Sequence, residues 1–311
     1  MSLDGIHIAE FSRYFSSAYV RGYCYLQRFG ELLDVTVISK GNAVPHIFKL
    51  CDVHENGAQE FSVEFMHKDG GVPEDVNISF IGKNDQCVCP LVDLHQSILD
   101  ATELGLTERF IDLTENAHNE GQVKLLDVGG RARSKYQRSK DFPNWDCTVL
   151  DIVEQDGVDV VCDAHIMSTC LEPESFDAVI SVSVFEHILM PWKLCLEINR
   201  VIKPGGYVLV HTHQTIGMHD IPWDFWRFSD QAWNALFNRK TGFEIIETRM
   251  DTFSRIIPAV YTERHKYAER SGGFEGSSVI ARKIGETDLS WDVSVEDVLR
   301  TSYPEHDDGS S

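Results

Sequence analysis

Apolar runs separated by segments of helical length dominate the sequence after about residue 95. The runs are Val123–Val128, Cys147–Leu150, Val158–Cys162, Ala178–Val182 and Tyr207–His211. They do not alternate strictly between apolar and polar residues, which is typical of strands buried on both faces. Such strands, joined by crossovers of helical length, pack as a parallel sheet with helices on both sides. Residues 96–285 are therefore predicted to form an α/β domain with a mostly parallel sheet.

The first 95 residues show another pattern. Short runs rich in β-branched and aromatic residues have a period of two, as in Val35–Ile38, Phe61–Phe65 and Val76–Ile81. This period, with turn-forming residues between the runs, predicts antiparallel strands. Residues 1–95 are expected to form a small β-rich domain of unassigned role. Residues 286–311 are expected to be an acidic C-terminal tail that is mobile at its end.

The chain is strongly acidic, with 28 Lys and Arg residues against 49 Asp and Glu residues and a formal net charge of −21. Proteins bind nucleic acid and anionic membranes through clustered Lys and Arg, so neither partner is expected. The N-terminal residues lack the pattern of a secretory signal, and no apolar run approaches the ~20 residues that span a bilayer. A cytoplasmic protein with a small-molecule or glycan partner is predicted, and a homo-oligomer is left open.

The eight cysteines are expected to be mainly small core residues in a reducing compartment, not a disulfide framework. Cys87 and Cys89, with Cys24 and Cys51, would supply enough thiols for a zinc site. Their spacing lacks the paired Cys-x₂₋₄-Cys arrangement of structural zinc sites. Alternation in Cys87-Val-Cys89 instead indicates a strand with both sulfurs on one buried face.

Acidic residues stand at the ends of three successive predicted strands. Asp127, Asp151 and Asp163 occupy these positions, and Gly129 and Gly130 follow the first of the strands. Because the carboxyl ends of parallel strands meet at one edge of the sheet, where ligands bind, we expect these residues to lie around one site. A carboxylate about twenty residues after the glycines suits the two hydroxyls of a ribose, either in NAD or in S-adenosylmethionine.

The glycine turn counts against NAD. A dinucleotide fingerprint requires Gly-x-Gly-x-x-Gly, and here Gly129 and Gly130 are followed by Arg131, Ala132 and Arg133. The second and third glycines, which allow the pyrophosphate to approach the backbone, are therefore missing.

Six motifs in order carry a family resemblance. They are Leu126-Asp-Val-Gly-Gly, Val149-Leu-Asp, Asp163-Ala-His, Phe176-Asp-Ala-Val-Ile-Ser, Phe185-Glu-His and Ile202-Lys-Pro-Gly-Gly. This set resembles the class I S-adenosylmethionine-dependent methyltransferases, most closely the type 11 group. The segment Ile221–Ser229 resembles a Pro-x-Asp-aromatic-Trp-Arg-Phe stretch of a subset often encoded near glycan genes. The resemblance implies a Rossmann-like, seven-stranded sheet with an antiparallel last strand, and S-adenosylmethionine as cofactor.

The resemblance also implies roles for single residues. The cofactor-binding residues would be Asp127, Gly129, Gly130, Arg131, Asp151, Asp163, Ala164 and Ser181. In this set Asp151 would hold the ribose, Asp163 and Ala164 the adenine edge, and Ser181 would face the methionine moiety and the methyl group. Arg131 stands where the family commonly has a glycine. It would pair with the methionine carboxylate, or it is a solvated arginine on the turn.

Four histidines fall where the methyl acceptor of such an enzyme should sit: His187, His211, His213 and His219. Methyl transfer to a hydroxyl needs a general base, and histidine is the usual one near neutral pH. We predict that His213 is the base, with His187 as the second choice. Any one of the four, taken alone, is as well explained as a hydrogen-bonded structural histidine.

The aromatic segment after the fifth strand suggests a substrate surface. Its predicted substrate-binding residues are His219, Asp224, Trp226 and Arg227. Aromatic faces beside carboxylates suit sugars, because apolar sugar faces stack on rings while carboxylates accept the hydroxyls. The alternative is an aromatic cluster that fastens a loop to the core, with Arg227 paired to Asp224.

The stretch after the fourth strand resembles a metal-binding motif in part. Some methyltransferases of small-RNA ends and of quinones resemble this region and carry Glu-x-x-Glu-His ligands. Here the stretch is Ser183-Val-Phe-Glu186-His187, so one carboxylate is missing and no metal is predicted. A divalent ion held by Glu186, His187 and a downstream histidine stays as the alternative.

The sequence thus predicts an S-adenosylmethionine-dependent O-methyltransferase of biosynthesis that acts on a sugar or another small polyhydroxylated acceptor. The alternatives are methyl transfer to nitrogen or carbon of a small molecule, and a non-catalytic methyltransferase-like module for binding or assembly.

Overall fold

The structure is a computed structural model. It describes residues 2–3, 5–13, 17–54, 56–66, 75–94, 106–118, 121–131, 136–256, 271–301 and 303. The chain divides into two units, Met1–Glu103 and Leu104–Ser311. The predicted domain boundary at residue 95 and the end of the predicted tail, residues 304–311, lie outside the described residues.

The first unit consists of antiparallel strands. Its strands are β1 Ser2–Leu3, β2 Ile6–Arg13, β3 Ser17–Tyr25, β4 Leu32–Ser39, β5 Asn42–Ala43, β6 His46–Val53, β7 Ala58–Met66, β8 Asn77–Gly82 and β9 Gln86–Pro90, with a short helix Leu26–Phe29. They form one sheet in the order β1-β2-β3-β7-β6 and another in the order β5-β4-β8-β9. Alternate residues of β4, such as Val35 and Val37, are fully buried, as the period of two requires.

The second unit is built on one sheet. Its strands are β10 Lys124–Val128, β11 Asp146–Asp151, β12 Val160–Val161, β13 Phe176–Val182, β14 Ile202–His213, β15 Phe243–Ile256 and β16 Ser271–Lys283, in the order β12-β11-β10-β13-β14-β16-β15. The pairs from β12 to β14 are parallel, whereas β16 runs antiparallel to both β14 and β15. The prediction of a mostly parallel α/β sheet after a β-rich region is confirmed.

Helices cover this sheet. The α-helices are Leu106–Ala117, Pro191–Val201, Trp233–Leu236 and Val295–Val298, and the 3₁₀ turns are Arg138–Asp141, Ala164–Thr169, Phe185–His187 and Asp230–Ala232. The helix Pro191–Val201 begins with proline at its first turn, where the missing N–H costs nothing. It buries Leu194, Cys195 and Ile198 against the sheet.

The sheet has a hydrophobic core on each face. Along β10, Leu126 and Val128 belong to one core with Phe185 and Trp233, while Leu125 belongs to the other core. Successive side chains of a strand point to opposite faces. Both faces must therefore be apolar, which explains the runs without strict alternation.

Two features of the second unit were not expected. Cys162 and Cys170 form a disulfide, although the cysteines were predicted to be mainly core residues. Part of the predicted acidic tail also packs on this unit, because Lys193 Nζ donates to Val293 O at 2.7 Å and Trp291 Nε1 to Met190 Sδ at 3.1 Å. Among the described helices none has the length and apolar character that crossing a membrane requires.

Candidate active site

A cleft lies at the carboxyl ends of β10, β11, β12 and β13, and we call it the strand-end cleft. It is lined by Val128, Gly129, Arg131, Leu150, Asp151, Ile152, Cys162, Asp163, Ala164, His165, Ser183, Val184, His187, Ile188, Trp223 and Tyr303. Five of the eight predicted cofactor residues are in this lining. The parallel topology brings them together, since segments far apart in sequence end at the same edge.

Gly129 shapes the turn that opens the cleft. Its φ is +71°, a region that favours glycine, and its N–H donates to Leu150 O at 2.7 Å. A Cβ here would collide with the side chain of Val184. The backbone therefore turns tightly against the next strand end, and no side chain blocks the cleft.

Asp151 is held in a fixed orientation at the end of β11. Its Oδ1 accepts a hydrogen bond from the Val153 N–H at 3.0 Å, and its Oδ2 accepts one from the Arg131 N–H at 3.4 Å. The side chain is 10% exposed and lines the cleft. Each carboxylate oxygen has a further lone pair for a ligand donor such as a hydroxyl.

Arg131 brings positive charge to the same turn. Its Nε lies 4.0 Å from Asp151 Oδ1, is buried, and donates to no acceptor among the described residues. A buried N–H without an acceptor is costly. Because Arg131 lines the strand-end cleft, an anionic ligand group such as a carboxylate would satisfy it.

Asp163 and His165 form a fixed pair at the end of β12. The Asp163 Oδ1 accepts from the His165 N–H at 2.9 Å and from Nδ1 at 2.7 Å, while His165 Nε2 accepts from the Met190 N–H at 3.2 Å. Burial raises the pKa of Asp163, but the bonds from His165 outweigh it and the net pKa is lowered. An ionised carboxylate therefore lies beside Ala164 in the cleft.

Three predicted cofactor residues lie behind the lining. Asp127 is 3% exposed and pairs with Arg138; burial raises its pKa, and Arg138 only partly offsets this. Gly130 packs against Asp127. Ser181 is fully buried and donates to Val128 O at 3.3 Å. Ser181 is not among the residues that line the cleft, whereas Ser183, past the end of β13, is.

Three histidines surround the buried carboxylate of Glu186, and we call them the histidine cluster: His187, His213 and His219. Their Nε2 atoms lie 3.8, 3.0 and 4.0 Å from Glu186 Oε1. Thr212 donates its hydroxyl to Glu186 Oε2. Burial raises the pKa of Glu186, yet the His213 imidazole and the Thr212 hydroxyl outweigh it, so the net pKa is lowered. Glu186 is therefore a buried carboxylate held in its charged form.

His211 does not belong to the cluster. Its Nε2 lies 3.1 Å from Oδ2 of Asp251, which is on β15, two strands away in the sheet. Successive residues of a strand point to opposite faces of the sheet. His211 and His213 therefore point to the same face, but they contact different carboxylates, Asp251 and Glu186. The sequence grouped four histidines, and the structure brings three of them to Glu186.

Asp224 and Arg227 hold their own loop together. Arg227 Nη1 donates to Asp224 Oδ1 at 2.6 Å and Nη2 to Oδ2 at 2.8 Å, and it also donates to Ile216 O and Gly217 O. These contacts agree with the alternative prediction, in which Arg227 pairs with Asp224 and holds the loop in place. Trp226 is 37% exposed and donates from Nε1 to Ile188 O at 2.9 Å, so its ring stays open to a ligand.

The Asp224–Arg227 pair predicts a pH dependence of stability. Although burial opposes it, hydrogen bonds from Arg227 and the His219 N–H lower the pKa of Asp224 from 3.8 to about 2. A depressed carboxyl pKa stabilises the fold above its unfolded value, here by about 2 kcal/mol at neutral pH. We expect roughly half of this to be lost by pH 3. In urea unfolding from pH 6 to pH 3, the wild type should lose about 1 kcal/mol more unfolding free energy than Asp224→Asn.

The control for this measurement is Asp230→Asn in the same segment. It should retain the wild-type slope of unfolding free energy against pH. Equal slopes for the wild type and Asp224→Asn would contradict the assignment.

Sequence reasoning missed several residues of the cleft. His165, Ser183, Trp223 and Tyr303 line it without having been predicted. Tyr303 lies in the segment predicted as an acidic tail, and its ring is 5.7 Å from that of Trp223. The sequence signal for Tyr303 is an aromatic residue in an otherwise polar segment, because such a residue is usually at least partly buried against the fold.

A family model matches part of the second unit. Residues 115–210 match the model described as Methyltransferase domain, a stretch that runs from the end of the helix Leu106–Ala117 into β14. No curated protein matches the sequence.

Among solved structures, the chain is similar to a SAM-dependent methyltransferase from Archaeoglobus fulgidus, with 16% identity over 57% of this chain and 90% of that one and a TM-score of 0.40. It is also similar to the YcgJ protein from Bacillus subtilis, with 15% identity over 58% and 98% and a TM-score of 0.39. A third is 1,6-didemethyltoxoflavin-N1-methyltransferase from Burkholderia thailandensis, with 16% identity over 63% and 87% and a TM-score of 0.37. At these identities and TM-scores we draw no argument from them.

The matched residues include β10 to β13, the strands whose carboxyl ends form the cleft. The protein is an S-adenosylmethionine-dependent methyltransferase, and S-adenosylmethionine is its cofactor.

Proposed function

We propose that the enzyme methylates a hydroxyl group of a sugar or another small polyhydroxylated acceptor, with His213 as the general base. The observation that carries the proposal is the contact between His213 and Glu186. A buried carboxylate with a lowered pKa lies 3.0 Å from the imidazole. His187, which lines the strand-end cleft, is the second choice.

Different residues of the strand-end cleft hold different parts of the cofactor. Asp151, oriented by two backbone N–H groups, accepts the ribose hydroxyls. Asp163 and Ala164 lie at the adenine edge, and Arg131 pairs with the methionine carboxylate through the N–H that has no acceptor among the described residues. When bound, S-adenosylmethionine supplies an electrophilic methyl group on a sulfonium.

The base is needed because of the acceptor. Displacement at a methyl group requires mainly proximity and alignment, but an alcohol is a weak nucleophile until its proton is removed. Glu186 stabilises the imidazolium that forms when His213 takes this proton, as a buried carboxylate does in other histidine dyads. The carboxylate is fully buried, so solvent does not weaken this interaction.

The surface beside the histidine cluster supports the proposed class of acceptor. Trp226 presents an indole ring that is partly exposed, and its ring centroid is 6.1 Å from that of Trp192. Asp220 Oδ2 lies 3.7 Å from His187 Nε2 and offers an acceptor for hydroxyls. Aromatic rings and a carboxylate suit a neutral polyol better than a phosphate. The net charge of −21 also disfavours an anionic acceptor, because it repels negative charge.

An acceptor screen tests the proposal. The full chain is incubated with S-adenosylmethionine labelled in its methyl group and with panels of sugars, phenols and amines, each with and without EDTA. We expect label in sugar or polyol products as methyl ethers. Label confined to amines, with none in hydroxyl compounds, would contradict O-methylation.

A further inference from the structure

Three atoms that accept hydrogen bonds face one point in the histidine cluster. Glu186 Oε1, His187 Nε2 and His219 Nε2 all lie within 4.8 Å of one another. Glu186 is 0% exposed. Its Oε1 lies 3.0 Å from His213 Nε2, but it receives no hydrogen bond of acceptable geometry among the described residues. A buried, charged oxygen in this condition is costly, so the arrangement calls for a positive charge at its centre.

The protons of the two histidine rings lie on the far side. His187 Nδ1 is 2.7 Å from Trp223 O, and His219 Nδ1 is 3.0 Å from Gly217 O. A carbonyl oxygen can only accept, so each Nδ1 must carry the proton. In the neutral rings both Nε2 atoms therefore present lone pairs toward Glu186. A backbone carbonyl that fixes the tautomer in this way is the usual support of a metal-binding histidine.

We infer that Glu186, His187 and His219 bind a divalent transition-metal ion. Ligands at about 2.0–2.2 Å from a common ion are about 3.0–3.5 Å apart. The observed separations are 3.8 and 4.0 Å from Glu186 Oε1 and at most 4.8 Å among the three atoms, so each ring has to move by about 1 Å. Two imidazoles and one carboxylate suit zinc, iron, manganese or cobalt, whereas magnesium prefers oxygen ligands.

His219 is what completes the set. It lies more than thirty residues after Glu186, in the loop fastened by the Asp224–Arg227 pair, and Asp224 Oδ2 accepts from the His219 N–H at 2.9 Å. The loop contacts thus hold this histidine over Glu186. A second carboxylate in the Ser183–His187 stretch is not needed once the third ligand comes from the loop.

The ion would also act on the acceptor. A bound divalent ion lowers the pKa of a hydroxyl that binds to it, and His213 remains the base that takes the proton. This role in transfer depends on the proposed function, whereas binding of the ion does not.

The test is titration of the EDTA-treated, dialysed full chain with Zn²⁺ and with Mn²⁺ in a calorimeter, without cofactor or acceptor. We expect one ion per chain from at least one of the two. His219→Ala should weaken that binding at least tenfold, and Glu186→Gln should do the same. The matched control is His211→Ala, because His211 pairs with Asp251, and it should retain wild-type affinity. Circular dichroism establishes that each variant is folded.

Absence of binding by the wild type would overturn the metal site, as would binding that His219→Ala and Glu186→Gln leave unchanged. Should Glu186→Gln fail to fold, His219→Ala decides, because its side chain is 28% exposed. Co²⁺ provides an independent readout. Visible absorption of the bound ion should change in His219→Ala and not in His211→Ala. A negative acceptor screen with positive titrations would reject the proposed function alone.

Discussion

Replacing His213 with alanine is expected to lower kcat for methyl transfer by about 10²–10⁴-fold at neutral pH, the usual contribution of a general base. The imidazole lies 3.0 Å from the charged Glu186, and the substitution removes the group that is proposed to take the proton of the acceptor hydroxyl. Binding of S-adenosylmethionine should change by less than about twofold, because His213 does not line the strand-end cleft. Steady-state rates and cofactor titrations separate the two effects.

Two comparisons sharpen this experiment. His211→Ala removes a histidine of the same strand that pairs with Asp251, and its kcat should stay close to the wild-type value. Added imidazole should restore part of the rate of His213→Ala, which a merely structural defect would not allow. An undiminished kcat in His213→Ala would move the base to His187 or remove the need for one.

Replacing Asp151 with alanine is expected to weaken S-adenosylmethionine binding by about 10²-fold. Each hydrogen bond to a charged group contributes roughly 1.5–3 kcal/mol, and the loss of two ribose hydroxyl contacts is about 3 kcal/mol or more, which is two powers of ten in Kd. Asp151→Asn keeps one acceptor oxygen and should lose less. Isothermal titration gives both values directly.

The control is Asp156→Ala, which removes an exposed carboxylate from the loop after β11 and equalises the change in net charge. Its Kd should match the wild type. If Asp151→Ala bound the cofactor as tightly as Asp156→Ala, the ribose assignment would be wrong. Tight binding of NAD by the wild type, with weaker binding of S-adenosylmethionine, would contradict the cofactor itself.

Much of the second unit was predictable because its signals are local. A strand buried on both faces must be apolar at successive positions, so β10, β11, β13 and β14 were found as runs. The acids at strand ends were grouped correctly in part, since Asp151 and Asp163 line one cleft. Asp127 was also expected around this site, but it lies behind the lining of the cleft. A shift of one position along a strand reverses the direction of a side chain.

The positions of Ser181 and Ser183 could not be told apart from the sequence for the same reason. Both stand at the end of β13, and the first is buried with its hydroxyl on Val128 O, whereas the second lines the cleft with φ +55°. Where a strand stops and its backbone turns depends on packing against neighbouring strands. The sequence pattern locates such an end only to within a few residues.

The sequence by itself determined the α/β class, the glycine turn at Gly129 and the shared edge of the acids. Periodicity and parallel topology follow from local chemistry. Only the tertiary structure decided that His187, His213 and His219 meet at Glu186, that His211 does not, and that Tyr303 joins the cleft. The residues that line the cleft are up to 175 positions apart, as Val128 and Tyr303 are. Their geometry depends on the paths of loops, and hydrogen bonds to backbone carbonyls set the histidine tautomers only after those loops have folded.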